Sequence, residues 1–113
     1  DVTEQEIQKA IIDYLRIKKY VVFKHHSTGF TVREGKTVAF KYGEKGVADI
    51  IACSPTGTFC AIEVKRPGKK PTPEQLEFIA RVSANGGLAF VAYSLDDVLI
   101  AFKNLAKGVS SME

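Results

Sequence analysis

The sequence predicts a single α/β domain, residues 1–113, in which helices flank a mixed central β-sheet. Segments with apolar residues at helical spacing alternate with short runs of β-branched and aromatic residues. A strand–helix–strand succession over residues 59–93 predicts a parallel strand pair with a right-handed crossover. The chain has 113 residues, of which 45% are hydrophobic, and this suits one folded core. No apolar run approaches the roughly 20 residues that a membrane helix needs.

The N-terminal segment, Asp1–Tyr20, is predicted to be a helix. Thr3 followed by Glu6 is a capping-box pattern, in which each side chain bonds the backbone amide of the other residue. Capping therefore explains Glu6 without a catalytic role. The apolar residues that follow have the spacing of one helix face, and they are Ile7, Ala10, Ile11, Tyr14 and Leu15.

Three short strands are predicted next. Tyr20–His25 is rich in β-branched and aromatic residues and forms the first. Thr31–Arg33 and Thr37–Tyr42 form a hairpin that turns around a glycine. This hairpin carries the cations Arg33 and Lys36. It is therefore either a solvated hairpin or an arm that contacts a partner.

The middle of the chain predicts another hairpin, with strands Asp49–Cys53 and Phe59–Lys65 joined by a Ser-Pro-Thr-Gly turn. A turn centred on the threonine sets Asp49 opposite Glu63. Because side chains alternate along a strand, Lys65 then points to the same face as both carboxylates. Two carboxylates and one ammonium would meet at one end of an apolar hairpin.

A buried pair of carboxylates is unfavourable unless cationic neighbours offset its charge. Lys65 can offset one negative charge. A hard divalent cation such as Mg²⁺, with oxygen ligands from Asp49 and Glu63, can offset the rest. A surface hairpin with an ordinary salt bridge explains the same three residues, so their spacing leaves both interpretations open.

The last part of the chain predicts a basic loop, a helix, a strand and a second helix. The loop is Arg66–Pro71, Thr72 caps a helix that ends near Asn85, Leu88–Tyr93 is a buried strand, and Leu95–Lys107 is the final helix. Gln75 completes a second capping box. We expect the inner sides of these helices to carry Leu76, Ile79, Ala80, Val82 and Ser83 in the first and Val98, Leu99, Phe102 and Leu105 in the second. The predicted order is α-β-β-β-α-β-α with an inserted β-hairpin arm.

The charged residues of the central hairpin resemble a known nuclease signature. Asp49 followed by Glu63-Val64-Lys65 is similar to the D…E-x-K signature of the PD-(D/E)xK nuclease superfamily. Gly46, the basic segment Lys65–Pro67 and the helix start Thr72–Gln75 resemble its VRR-NUC branch. The stand-alone members of that branch are Holliday-junction-resolvase-like enzymes. Ala48 stands where the superfamily signature has Pro, a residue that shapes the strand entry and is not a ligand.

This resemblance implies a restriction-endonuclease-like fold and an endodeoxyribonuclease that needs Mg²⁺ or Mn²⁺. It implies metal ligands on Asp49, Glu63 and the backbone carbonyl of Val64, with Glu6 as a further candidate on the first helix. Asp49, Glu63 and Lys65 would be the catalytic residues, with Glu6 and Gln75 in supporting roles. For Glu6 and Gln75, capping and catalysis remain alternative interpretations.

Cations beside such a site are expected to contact the DNA backbone. The strongest candidates are Arg66, Lys69 and Lys70 in the basic loop. Further candidates are His26 and Ser27 at the end of the first strand, and Arg33 and Lys36 on the arm. Net charge is +3, which permits a polyanionic partner without requiring one.

The expected substrate is branched DNA, above all the four-way junction. A homodimer would supply two sites for paired nicks. We expect a bacterial or phage-encoded enzyme of the host cytoplasm, with no membrane partner. The alternatives are a flap or nicking nuclease, and a non-enzymatic nucleic-acid-binding or assembly module on the same fold.

Overall fold

The computed structural model describes residues 2–26, 28–41 and 45–106. Their helices and strands follow the predicted order. The helices are α1 (Glu4–Ile17), α2 (Pro73–Ala84) and α3 (Leu95–Ala106), and the strands are β1 (Val21–Lys24), β2 (Thr28–Arg33), β3 (Lys36–Lys41), β4 (Ile50–Cys53), β5 (Phe59–Val64) and β6 (Leu88–Ala92). No helix in the described part of the chain has the length and apolar character needed to cross a bilayer.

Four strands form the central sheet, in the order β1-β4-β5-β6. Strands β4 and β5 are antiparallel with Ile50 opposite Ile62, so the predicted register of the central hairpin is confirmed. Strands β5 and β6 are parallel, as the strand–helix–strand pattern predicted. The mixed sheet flanked by helices confirms the predicted fold class.

Helices cover both faces of this sheet. Helices α1 and α3 pack on one face, where Ile11, Leu15, Ile62 and Val98 are completely buried. Helix α2 packs on the other face, over Ala48, Ile51, Ala61 and Ala89. Odd-numbered residues of β5 therefore face α2, and Glu63 is one of them.

The inner sides of two helices differ from the prediction. Ile79 and Val82 face the sheet as predicted and Phe78 packs beside them, whereas Leu76 and Ala80 are exposed. Helical spacing extends this stripe back to Gln75. The sequence pattern failed here because a polar residue occupies the first position of the inner face. In α3, Leu99 and Leu105 are also exposed.

Gly46 lies where the chain enters the sheet and touches the start of α2. Its φ of +82° is a left-handed conformation that favours glycine, and a Cβ there would meet the backbone carbonyl of Glu74. The close approach places the N-terminus of α2 directly beside the segment that leads to Asp49.

Strands β2 and β3 form a separate antiparallel hairpin, which we call the arm. It is longer than predicted at its N-terminal strand. The predicted residue Tyr42 lies outside the described residues. Every side chain from 30 to 40 is exposed, and β2 and β3 pack chiefly on each other.

Candidate active site

Three side chains, within or next to three neighbouring strands, lie side by side at one end of the sheet. The β1–β4 register pairs Lys24 with Ile50, and the next residues are joined by a hydrogen bond from the His25 amide to the Asp49 carbonyl, at 2.7 Å. The β4–β5 register continues in the same way from Asp49 to Glu63. Cross-strand partners share a face, so His25, Asp49 and Glu63 all lie on the face covered by α2.

Asp49 is held in place by the neighbouring strand. The amide of Val64 donates to Asp49 Oδ2 at 3.0 Å. One carboxylate oxygen is thereby directed at β5, and the residue cannot rotate freely. This bond crosses from the segment before β4 to the end of β5, so it also closes the hairpin at its open end.

Glu63 is buried, with a side chain only 3% exposed. Gln75, at the N-terminus of α2, donates from Nε2 to Glu63 Oε2 at 3.0 Å. Lys65 Nζ lies 3.7 Å from the same oxygen. The other oxygen, Oε1, is buried and has no hydrogen-bond partner.

The environment strongly favours the protonated form of Glu63. Burial is the largest cause, and the negative charge of the neighbouring Asp49 carboxylate adds to it; together they raise the pKa of Glu63 to about 8. The ammonium of Lys65 lowers the pKa by a smaller amount, and Glu4 raises it slightly. At neutral pH Glu63 therefore tends to keep its proton unless a cation displaces it.

Lys65 connects the site to the surface. Its amide donates to the Ala92 carbonyl of β6 at 3.0 Å, which extends the parallel pairing by one residue. Its side chain is 16% exposed. The ammonium can thus face both Glu63 and a ligand that approaches from solvent.

Glu6 and Glu4 differ in where they point. Glu6 forms the predicted capping box, accepting from the Thr3 amide at 3.3 Å. Glu4 Oε2 instead accepts a 3.4 Å hydrogen bond from the amide of Arg66, just beyond the site. Two helical steps of about 100° separate these residues, so they cannot face the same side. The geometry favours Glu4 as the α1 carboxylate nearest the site, while a role for Glu6 stays a prediction.

The predicted DNA-contacting residues lie in three places. Arg66, Lys69 and Lys70 are exposed in the loop after β5. His26 is exposed just after β1, and Ser27 lies outside the described residues. Arg33 and Lys36 are paired at the turn of the arm. The first group is next to Lys65 in sequence, whereas the arm forms a sheet of its own.

His25 is a residue that the sequence analysis missed. It follows β1 beside Asp49, and its Nε2 atom is buried without a hydrogen-bond partner. The signal was available in the alternation of β1, because odd-numbered residues of that strand share the face of Asp49. The predicted contact was the next residue, His26, whose side chain is exposed.

A family comparison matches residues 2–96 of the chain to the VRR-NUC domain. The chain belongs to the VRR-NUC family. This family is part of the PD-(D/E)xK nuclease superfamily, so the resemblance seen in Asp49, Glu63 and Lys65 is confirmed at the level of the family.

Similarity to individual proteins supports this family assignment. Over 68 residues the chain is 40% identical to "Putative nuclease p44" of Acyrthosiphon pisum secondary endosymbiont phage 1, a match that spans 58% of this chain and 73% of that protein. A solved structure titled "VRR_NUC domain" superposes with a TM-score of 0.61 at 24% identity, over 91% of this chain and 94% of the other. Another solved structure, titled "VRR_NUC domain protein", superposes with a TM-score of 0.60 at 23% identity, over 99% of this chain and 98% of the other. These matches support a nuclease.

Nucleases of this superfamily usually use divalent metals. Asp49 and Glu63 fit such an ion because they are hard oxygen donors and Glu63 Oε1 is a buried oxygen without a partner. The described residues contain no group of three or more His, Cys, Asp or Glu side chains placed to hold a metal. Two carboxylates would therefore need backbone or water oxygens to complete the coordination shell.

Proposed function

We propose that this VRR-NUC chain is a Mg²⁺- or Mn²⁺-dependent endodeoxyribonuclease that hydrolyses phosphodiester bonds in branched DNA, chiefly four-way junctions, as a homodimer. The observation that carries the proposal is the Glu63 carboxyl group. It is buried beside a second carboxylate, within reach of Lys65, and keeps one oxygen without a partner. A group in this state is unfavourable for stability alone and suits a cation site.

Asp49, Glu63 and the backbone carbonyl of Val64 would hold the ion. A divalent ion at this position supplies an activated water and offsets charge on the phosphate during bond cleavage. Asp49 is oriented for this by the Val64 amide and Glu63 by Gln75. Glu4 would add a carboxylate from the start of α1, with the predicted Glu6 as the alternative.

Lys65 would act at the phosphate. Its ammonium donates either to the attacking water or to a non-bridging oxygen of the scissile phosphate, whose charge rises in the transition state. The contact with Glu63 at 3.7 Å keeps the ammonium at the site before substrate arrives. Lys65 therefore orients and stabilises the reacting group without contributing to overall DNA affinity as strongly as the loop cations.

The exposed cations Arg66, Lys69 and Lys70 would bind the DNA backbone next to the site. His26 and Ser27 are further predicted contacts, and Arg33 and Lys36 on the arm are predicted to contact either DNA or a second copy of the chain. Contacts to phosphates orient the duplex and carry no sequence information, which agrees with selection for DNA shape.

A cleavage assay tests this function. Four-way junction, flap and linear duplex DNA are incubated with the wild-type chain in Mg²⁺, Mn²⁺ or EDTA. We expect paired cuts near the junction centre, only with metal. Lys65→Ala should lower cleavage by at least about a hundredfold, which removal of one transition-state donor typically causes, and should leave junction affinity nearly unchanged.

Three results would change the proposal. Cleavage of flaps, or single nicks only, would support nuclease activity but contradict the four-way junction as the substrate. Full activity in Lys65→Ala would contradict the role of Lys65. Junction binding without cleavage under any divalent ion would instead identify a non-enzymatic binding module on this fold.

A further inference from the structure

The arm exposes apolar side chains on both of its faces. Phe30 and Val32 lie on one face, and each is 69% exposed. Val38 lies on the opposite face, because its partner in the register is Thr31, and it is exposed as well. A two-stranded hairpin on its own is marginally stable in water. An arm with this composition gains stability when another surface covers it.

A second apolar surface lies at the edge of the central sheet. Val21 of β1, Cys53 of β4 and Phe59 of β5 are cross-strand neighbours on the face that α2 covers, and Phe23 is the next residue of β1 on that face. All four are exposed, Val21 by 71% and Phe23 by 57%. Helix α2 lies over the β5–β6 half of the sheet and leaves them uncovered. We call these four residues the edge patch.

A cavity of about 690 Å³ adjoins the edge patch at Phe59. Apolar side chains of Val47, Phe78 and Val82 line it. Its charged lining residues are Lys45, Glu74, Glu77 and Arg81. The cavity is large enough for aromatic and aliphatic side chains and carries carboxylates and cations around them.

The turn of the arm carries charges that match this lining. Arg33 and Lys36 can meet Glu74 and Glu77, and Glu34 between them in sequence can meet Lys45 or Arg81. The arm therefore presents apolar residues along its strands and both signs of charge at its tip. The edge patch and the cavity likewise combine apolar side chains with charges of both signs.

We propose that the arm of one copy of this chain lies across the edge patch and cavity of a second copy. The inference rests on the homodimer of the proposed function and identifies its interface. In a two-fold symmetric pair each copy gives one arm and receives one, so the exchange covers both apolar surfaces of both copies. DNA is the weaker candidate for the arm, because a phosphate backbone gives Phe30, Val32 and Val38 no apolar surface.

Sedimentation of the full chain, without metal or DNA, tests the interface. Phe23→Glu alters the edge patch and Phe30→Glu alters the arm. Ile100→Glu is the matched control. Ile100 lies on α3, away from both surfaces, and its exposed fraction of 59% is similar to the 57% of Phe23. We expect wild type and the control to dimerise. Each of the other two variants should raise the dissociation constant more than about tenfold, as loss of an anchoring aromatic does. Thermal melts check that both variants fold.

Cysteine cross-linking tests the placement of the arm. Cys53 is exposed within the edge patch, so Phe30→Cys or Val32→Cys should form an intermolecular disulfide with it under mild oxidation. The link should disappear when Cys53→Ser is added. A Lys103→Cys variant on α3 should give no product with Cys53.

The proposal is overturned by a chain that is monomeric at every concentration, by dimers that both Glu variants leave intact, or by absence of both cross-links. A monomer whose DNA affinity falls in Phe30→Glu would identify the arm as a DNA contact instead. These measurements need neither metal nor DNA, so their failure leaves the proposed bond hydrolysis standing. An inactive wild-type chain would not affect them.

Discussion

At the scale of single residues, Glu63 shows how position changes chemistry. Three neighbours surround it: Gln75 donates a hydrogen bond, Lys65 provides a nearby cation, and Asp49 adds a negative charge. The donor and the cation favour the ionised form, while burial and Asp49 favour the protonated form. The balance places the pKa at about 8. A divalent ion would favour the ionised form by replacing the proton on Glu63.

The pKa of Glu63 predicts how stability changes with pH in the metal-free chain. The unfolded chain releases this proton near 4.5 and the folded chain near 8, so the folded state binds more protons between them. The free energy of unfolding should therefore fall as pH rises through this window, by roughly 2–5 kcal/mol at about 1.4 kcal/mol per pKa unit. Below the window the stabilisation is fully present.

Urea unfolding in EDTA at several pH values measures this effect. Glu63→Gln is the comparison, since it removes the titration and keeps a side chain of the same shape. The difference in stability between wild type and Glu63→Gln should change with pH in the direction stated. A difference that stays constant from acid to alkaline pH would show that Glu63 titrates normally.

At the scale of elements, two helices begin with the same device and use it differently. Thr3 with Glu6 caps α1, and Thr72 with Gln75 caps α2, each with both reciprocal hydrogen bonds. The side-chain amide of Gln75 makes two contacts: its oxygen accepts from the Thr72 amide in the cap, and its nitrogen donates to Glu63. A capping residue thereby couples the start of α2 to the site.

Matched alanine variants separate capping from catalysis. Glu6→Ala and Gln75→Ala should each lower stability by about 0.5–2 kcal/mol through the lost cap. We expect Gln75→Ala also to lower cleavage, because Glu63 loses its donor, and Glu4→Ala to lower cleavage without loss of a cap. Cleavage rates and urea unfolding of the three variants measure this. Loss of cleavage in Glu6→Ala, with Glu4→Ala active, would instead assign the site carboxylate to Glu6.

Gly46 allows the start of α2 to approach the segment before Asp49 closely. Gly46→Ala should be destabilising through both its positive φ and the clash with the Glu74 carbonyl. Gly68→Ala is the control, because Gly68 has a φ of +90° and open space around a Cβ. Gly68→Ala should cost about 1–2 kcal/mol, and Gly46→Ala clearly more, with reduced cleavage. Equal costs in urea unfolding would mean that the contact with α2 has little importance.

At the scale of the whole molecule, helices cover the sheet unevenly. Helices α1 and α3 bury one face, while α2 covers only part of the other. That second face carries the row of His25, Asp49 and Glu63 at one end, where Glu63 is buried, and the exposed edge patch at the other. One face thus carries both the proposed catalytic site and the proposed interface between copies.

Metal binding should stabilise the whole fold, because the ion needs ligands that only the folded sheet brings together. At 100 times its dissociation constant an ion adds about 2.7 kcal/mol. Mn²⁺ or Mg²⁺ should therefore raise the melting temperature of wild type relative to EDTA. The rise should be larger at pH 8 than at pH 6, since Glu63 must lose its proton first. Asp49→Asn should abolish it; an equal rise in that variant would place the ion elsewhere.

Local sequence patterns predicted a large part of this architecture. The capping boxes of α1 and α2, the turn between β4 and β5, and the alternation that sets Asp49 opposite Glu63 all depend on residues close in sequence, so spacing alone reveals them. The parallel pairing of β5 and β6 followed from the handedness and length of one crossover.

Other features needed the packed structure, because they depend on segments distant in the chain. The burial of Glu63 arises where α2 lies over β5, and its raised pKa depends on that burial. The proximity of Glu4 to Arg66 and of His25 to Asp49 depends on how α1 and β1 dock. The exposure of Leu76 and of Phe23 depends on which part of the sheet α2 covers. Residue type and spacing carry the chemistry of each side chain, whereas its solvent exposure and its neighbours depend on tertiary packing.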